Sequence, residues 1–196
     1  MAKAAFEDVQ VIVVPGLHNS SPDHWQSLWH ARHPEFYRVE QDDWAHPDLT
    51  AWAARVDQLR AADPRPSLFV AHSFGCLATV ASITARPAGV AGALLVAPAD
   101  PHKFGVAGQL PHDPLGVPST LISSRDDPWM SGQEAARWAR RWGSLLVDAG
   151  AAGHINAASG LGAWPQGWET LQLLYEQAHN AGSAAEPGAG LAVQST

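Results

Sequence analysis

The chain has a single cysteine, Cys76, so it can build neither a disulfide framework nor a cysteine-based zinc site. Basic residues are also scarce. Twelve Lys+Arg face nineteen Asp+Glu, a net charge of −7, which argues against nucleic acid as the main partner, since a polyanionic backbone demands a basic face. No apolar run approaches the roughly 18 residues that a membrane span needs, so no membrane partner is expected. The stretch Met1-Ala2-Lys3-Ala4-Ala5-Phe6-Glu7-Asp8 lacks an apolar h-region and carries acids early. It does not read as a signal peptide, and a reducing cytoplasm is the expected setting. Neither G-x-G-x-x-G after a strand nor G-x-x-x-x-G-K-[ST] occurs, so a nucleotide cofactor would lack its phosphate cradle, and no cofactor is expected. His18, His24, His30, His33 and His46 form no H-E-x-x-H and no Cys/His module. They read as surface or loop residues, and no metal is expected.

What remains is a chain of 196 residues, 46% hydrophobic and 16% charged, too apolar for disorder in its body and long enough for one domain with a full core. Nine tryptophans suggest core and pocket walls. Strand signals alternate with helix signals. Val9–Val14, Phe36–Glu40, Ser67–Ala71, Val90–Val96, Thr120–Ser123 and Leu145–Val147 read as strands. The near-continuous apolar runs among them suit strands buried on both faces. Between them lie helical stripes: Trp25, Leu28 and Trp29 after a Ser21-Pro22 cap; Leu49, Trp52, Val56 and Leu59 after Asp48; and a small-residue segment over 74–85. Ser131 and Glu134 spell a capping box before Ala135, Trp138 and Trp142, with Gly143 as the stop. A last helix is expected from Gln166 to Ala178. The pattern predicts a three-layer α/β/α sandwich around a mostly parallel sheet of about six strands. Residues 1–180 are expected to form this domain, and residues 181–196 a flexible tail. The loop from Ala99 to Val117 is the only room for a lid, and it is short.

In such a sheet ligands sit beyond the carboxyl ends of the strands. There the strongest signal stands, Ala71-His72-Ser73-Phe74-Gly75, a strand-to-helix turn of the form small-x-Ser-x-small. Small residues on either side let helix and strand approach, and the sharp turn lifts the serine hydroxyl clear of the sheet. The Phe74 N–H is left at a helix N-terminus, able to face an oxyanion. A serine nucleophile needs a base. Of the later histidines, His102 and His112 lie in the lid-like loop and His179 near the end of the last helix, whereas His154 follows the last strand. His154 is therefore the candidate base. The acid should follow a strand too. Ser124-Arg125-Asp126-Asp127-Pro128 offers two aspartates of which adjacent geometry lets one reach His154, the other being left to turn formation; Asp100 is a weaker rival. A second oxyanion donor belongs to the loop after the first strand, where Gly16 allows close approach and the Leu17 N–H pairs naturally with that of Phe74. His18 either touches substrate or is a polar loop residue. Trp25, Trp44 and Trp129 either line an acyl pocket or pack in the core. Cys76, just past the elbow, reads as packed rather than reactive.

Taken together, Val13-Val14-Pro15-Gly16, His72-Ser73-Phe74-Gly75, Ser124-Arg125-Asp126-Asp127-Pro128 and Gly153-His154 resemble a small α/β-hydrolase family, that of retinoblastoma-binding protein 9 and its bacterial relatives. The stretches Leu17–Trp25 and His154–Asn156 through Gly162–Gly167 look like the bacterial branch. The resemblance covers roughly residues 9 to 178. It implies a compact α/β hydrolase without a large cap, with Ser73 as nucleophile, Asp127 as acid because the family's acid stands just before the proline, and His154 as base. Ala71 departs from the more usual glycine but remains small. The expected activity is hydrolysis of a small acyl ester or thioester through an acyl-enzyme. An amidase or peptidase using the same residues is the alternative within enzymes. A protein-binding module on a hydrolase fold, with an unspecified protein partner, is the alternative outside them.

Overall fold

The computed structural model describes residues 6–185, with side chains described through residue 180. Among the described residues, six strands form one sheet: β1 (Gln10–Val14), β2 (Tyr37–Arg38), β3 (Ser67–His72), β4 (Val90–Val96), β5 (Ser119–Ser123) and β6 (Leu145–Asp148). Every pairing is parallel, in the order β2-β1-β3-β4-β5-β6. Five helices, α1 (Trp25–Arg32), α2 (Leu49–Arg60), α3 (Phe74–Ala85), α4 (Gly132–Trp142) and α5 (Pro165–Ala185), connect or follow the strands.

The alternation of side chains along each strand divides the core in two. Ile12, Val14, Phe69, Ala71 and Leu95 face α2, α3 and α4, where Trp52, Leu77, Trp138 and Trp142 are buried. Val11, Val13, Leu68, Val70 and Leu94 face α1 and α5, where Trp25, Trp29, Leu171 and Leu174 are buried. That two-sided burial is why the central strands read as unbroken apolar runs. It gives the three-layer α/β/α sandwich expected from the sequence.

Several boundaries differ from the sequence reading. Helix α1 starts at Trp25, not at Pro22, because the His24 imidazole caps it by accepting the Gln26 N–H, while the Ser21 carbonyl closes a preceding turn with the His24 N–H. Strand β2 is shorter than Phe36–Glu40, although Val39 adds one further bond to the Val13 carbonyl. Phe36 leaves the strand to stack against His33 and Trp168. Ser131 caps α4 through the Glu134 N–H, but the Glu134 carboxylate turns to Arg137 instead of closing the box. At the sheet edge, Leu145 and Leu146 of β6 are exposed. Helix α5 continues to Ala185, past the expected end at Ala178 and into the segment read as tail; residues 186–196 lie outside the described residues. The Ala99–Val117 segment carries one short 3-10 turn, Ala107–Gln109, and anchors itself on the core through Val106, Leu110 and Leu115, so no large cap forms.

The closest approach of backbone elements lies where α3 crosses β1. A Cβ on Gly75 would stand 2.5 Å from the carbonyl oxygens of both Val14 and Pro15, atoms that cannot swing aside. Gly75→Ala is therefore expected to lower unfolding free energy by roughly 1–3 kcal/mol, the usual cost of overpacking, measured by chemical denaturation. An unchanged denaturation midpoint would show that the elbow has room the structure does not display.

Candidate active site

Ser73 stands between the last residue of β3 and the first of α3 with φ 54° and ψ −125°, a strained backbone for a residue with a side chain. The strain fits the sharp turn read from the sequence. Gly16 of the β1–α1 loop lies directly against it, so close that a Cβ there would stand 2.6 Å from the Ser73 Cβ.

His154 and Asp127 converge on this serine from loops after β6 and β5. The His154 Nε2 is 2.9 Å from the Ser73 Oγ, and its Nδ1 is 2.9 and 3.0 Å from the two Asp127 oxygens. A carboxylate only accepts, so the imidazole carries its proton on Nδ1 and presents the Nε2 lone pair to the serine hydroxyl. Asp127 also accepts the Trp129 N–H, which fixes its rotamer. Asp126, its neighbour, does not reach the imidazole. Its Oδ1 accepts the Ser124 hydroxyl at 2.7 Å and the Gly153 N–H at 2.8 Å. Ser124 in turn accepts the Ala152 N–H at 2.9 Å. The two loops that carry Asp127 and His154 are thereby tied together. Asp100, the other rival, caps its own turn by accepting the His102 N–H.

Two more imidazoles lie beside Ser73 and His154. The His72 Nε2–H donates to the His154 carbonyl at 2.9 Å, and its ring centroid is 4.9 Å from that of His154 and 4.8 Å from that of His24. Burial drives His72 well below the ordinary histidine range, helped by its two imidazole neighbours. Burial, then Arg38 and His154, push His24 down to about 4. Both are therefore neutral at neutral pH. His72 adjoins the serine in the elbow and His24 lies in the quoted Leu17–Trp25 run, yet no spacing rule distinguishes them from ordinary loop histidines. Among the described residues no group of His, Cys, Asp and Glu is arranged to hold a metal ion.

In the β1–α1 loop, neither the Leu17 nor the Phe74 N–H has an acceptor among the described residues. His18 and Asn19 adopt left-handed φ of 63° and 64°. The His18 N–H is turned away to the Trp44 carbonyl, and the Asn19 Oδ1 accepts the Arg38 guanidinium and the Ser20 N–H. These bonds brace the loop and leave Leu17 facing the serine's cleft. The cleft is about 240 Å³. Leu17, Phe104 and Trp129 supply its apolar part, and His18, Asn19, His24, His72 and Asn156 its polar part.

The tryptophans divide. Trp129 lines the cleft and is 45% exposed. Trp25, read as a possible substrate contact, does not: it is 1% exposed, lies in the core against Trp29 and Trp164, and donates its Nε1–H to the Ile155 carbonyl. Its bulk is needed to fill the space between α1, α5 and the loop that carries His154. Trp44 packs on Trp52 and is absent from the cleft lining. His102 and His112 lie by Trp138, and His179 pairs with Asp8. Cys76 is fully buried, donates to the Val96 carbonyl, and has its thiol pushed well up by burial.

A parallel sheet with a serine on the β3–α3 turn and, among the described residues, no cap over it is the arrangement of an α/β hydrolase. Comparison with known proteins agrees. The family model described as serine hydrolase matches residues 11–173, and the chain belongs to that family. A YdeN-like hydrolase from Pectobacterium atrosepticum is 38% identical, with a TM-score of 0.85 over 88% of this chain and 93% of its own. The ydeN gene product from B. subtilis is 19% identical, with a TM-score of 0.70 over 85% of this chain and 98% of its own. Est1E from Butyrivibrio proteoclasticus, solved with ferulic acid, shares the fold at 11% identity and a TM-score of 0.65, covering 89% of each chain. No curated protein matches the sequence.

The Asp126 tie yields a test. Asp126→Ala removes the acceptor of both bonds and is expected to lower kcat about tenfold. Asp126→Asn keeps an oxygen acceptor and should retain most of the rate. The Ser124 hydroxyl and then the Gly153 N–H hold the Asp126 carboxyl below its ordinary 3.8, so its stabilising effect is present above that pH and is lost as pH falls further. The stability difference between wild type and Asp126→Asn should therefore shrink in acid-denaturation curves. A difference that grows on acidification would show that the tie does not hold the charged form.

Proposed function

We propose that the protein is a serine hydrolase of short acyl esters or thioesters, with Ser73 as nucleophile, His154 as general base and Asp127 as the acid that orients it. The observation that carries this reading is the unbroken hydrogen-bonded series from Ser73 through His154 to Asp127. His154 takes the hydroxyl proton as Ser73 Oγ attacks the acyl carbon. The oxyanion that forms is received by the Leu17 and Phe74 N–H groups, the latter at the positive end of α3. As the tetrahedral intermediate collapses, His154 returns the proton to the departing alcohol or thiol, leaving an acyl group on Ser73. Water then enters, loses its proton to His154, and releases the acid by the same steps in reverse order. The Asp127 carboxylate stabilises the imidazolium that forms twice in each cycle.

Size favours a short acyl group. The cleft, about 240 Å³, falls below the roughly 300–1,000 Å³ usual for drug-sized ligands. It also favours an ester or thioester over an amide. Amide cleavage draws heavily on remote binding energy, and a small cleft offers few remote contacts. A substrate that enters from water suits a site with no large cap and, among the described residues, no helix long and apolar enough to cross a membrane.

Labelling with a fluorophosphonate probe and mapping of the labelled peptide tests the reading. Ser73 should be labelled, and Ser73→Ala should lose both labelling and turnover while keeping its fold. Labelling that survives in Ser73→Ala would overturn the assignment. Asp127→Asn favours the wrong imidazole tautomer and is expected to lower kcat on the order of 10⁴-fold. Among p-nitrophenyl esters, short chains should be preferred, with no jump in rate above the micellar threshold of a long-chain ester.

A further inference from the structure

His24 has a role in α1 and an atom left over. Its Nδ1 caps the helix, accepting the Gln26 N–H at 3.1 Å. That nitrogen therefore presents a lone pair, and in the neutral ring the proton sits on Nε2. The ring is neutral at neutral pH, because burial and then the nearby Arg38 and His154 push it down to about 4. His24 is 4% exposed and lines the cleft beside Ser73. Its Nε2 is buried and has no hydrogen-bond partner among the described residues. The neighbouring polar groups are engaged elsewhere. His72 donates to the His154 carbonyl and meets His24 edge to face at 69°. The Asn19 oxygen is taken by Arg38 and Ser20, and that of Asn156 by the Ala158 N–H. A buried donor with no acceptor costs free energy, which a bound acceptor would recover.

We propose that the His24 Nε2–H is a specificity group that receives a hydrogen-bond-accepting oxygen of the substrate close to the scissile carbonyl. The acceptor is uncharged, an ether, hydroxyl or carbonyl oxygen, since no Lys or Arg lines the cleft to balance a carboxylate. The preferred substrates are then short esters or thioesters bearing a second oxygen, in preference to plain hydrocarbon ones. This inference rests on the reading of Ser73 as nucleophile.

Two variants separate the cap from the donor. His24→Asn places its side-chain oxygen where the imidazole has Nδ1 and so keeps α1 capped, but it is too short to replace Nε2–H. His24→Gln reaches further and can restore the donor, at the expense of the cap. Isosteric ester pairs supply the readout. On the acyl side these are p-nitrophenyl methoxyacetate and butyrate; on the alcohol side, 2-methoxyethyl acetate and butyl acetate. The ratio of kcat/KM within a pair, compared between variant and wild type, cancels intrinsic reactivity. In at least one pair the ratio should fall about tenfold in His24→Asn, the effect of one hydrogen bond, and return towards wild type in His24→Gln. Ratios unchanged in both pairs would overturn the inference while leaving Ser73 labelling, and the reading it supports, intact. So would a wild type that is labelled at Ser73 yet turns over none of the four esters. A ratio that falls equally in Asn and Gln variants would also overturn it, by showing that ring shape and not the donor is what matters. A wild type that fluorophosphonate does not label at Ser73 would overturn both.

Discussion

The geometry of this site depends on how closely three pieces of backbone meet around Ser73. The serine is held at φ 54°, a conformation that a side chain makes costly, and it persists because the surroundings leave no alternative. Gly16 abuts its Cβ, and Gly75 abuts the carbonyls of Val14 and Pro15. The β1–α1 loop can therefore lie directly against the turn that carries Ser73. With a methyl group at either glycine, the loop and the helix would separate. The strain in the turn is maintained by the burial of β1, β3 and β4, whose central residues are wholly removed from water.

Much of this was legible because it is local. Continuous apolar runs ending in Pro15-Gly16 or in His72-Ser73 specify buried parallel strands and the loops that follow them. Those loops are where Ser73, His154 and the aspartate pair lie. The choice within the pair was not local. Asp126 and Asp127 are chemically alike, and the choice is made by which of them faces a loop some 27 residues away, to which Asp126 offers its oxygen at the Gly153 backbone and Asp127 at the imidazole. The resemblance to a known family named Asp127 on its neighbouring proline; the spacing alone could not.

What was not legible turns on tertiary placement. Trp25 sits in the same short run as Leu17 and His18 and shares the chemistry of a pocket wall, yet α1 rotates it inward onto the Ile155 carbonyl. The His24 cap was hidden because Ser21-Pro22 offers a standard helix start three residues earlier, and the packing of α1 against β3 chose the later one. Leu145-Leu146-Val147 read simply as the last strand, and its apolar residues gave no sign that β6 lies at the sheet edge, where Leu145 and Leu146 are exposed.

The bond from His72 to the His154 carbonyl has a mechanical meaning. Asp127 and His154 follow the adjacent strands β5 and β6, and their loops are joined through Ser124 and Asp126. Ser73 follows β3, with β4 in between. Any breathing of the sheet along its twist would change the Ser73–His154 separation before it changed the His154–Asp127 one. His72 belongs to β3 and holds the His154 backbone itself, so it acts as a strut across that gap. The residue beside Ser73 thus ties the Ser73–His154 distance to the rigidity of a strand buried along its whole length.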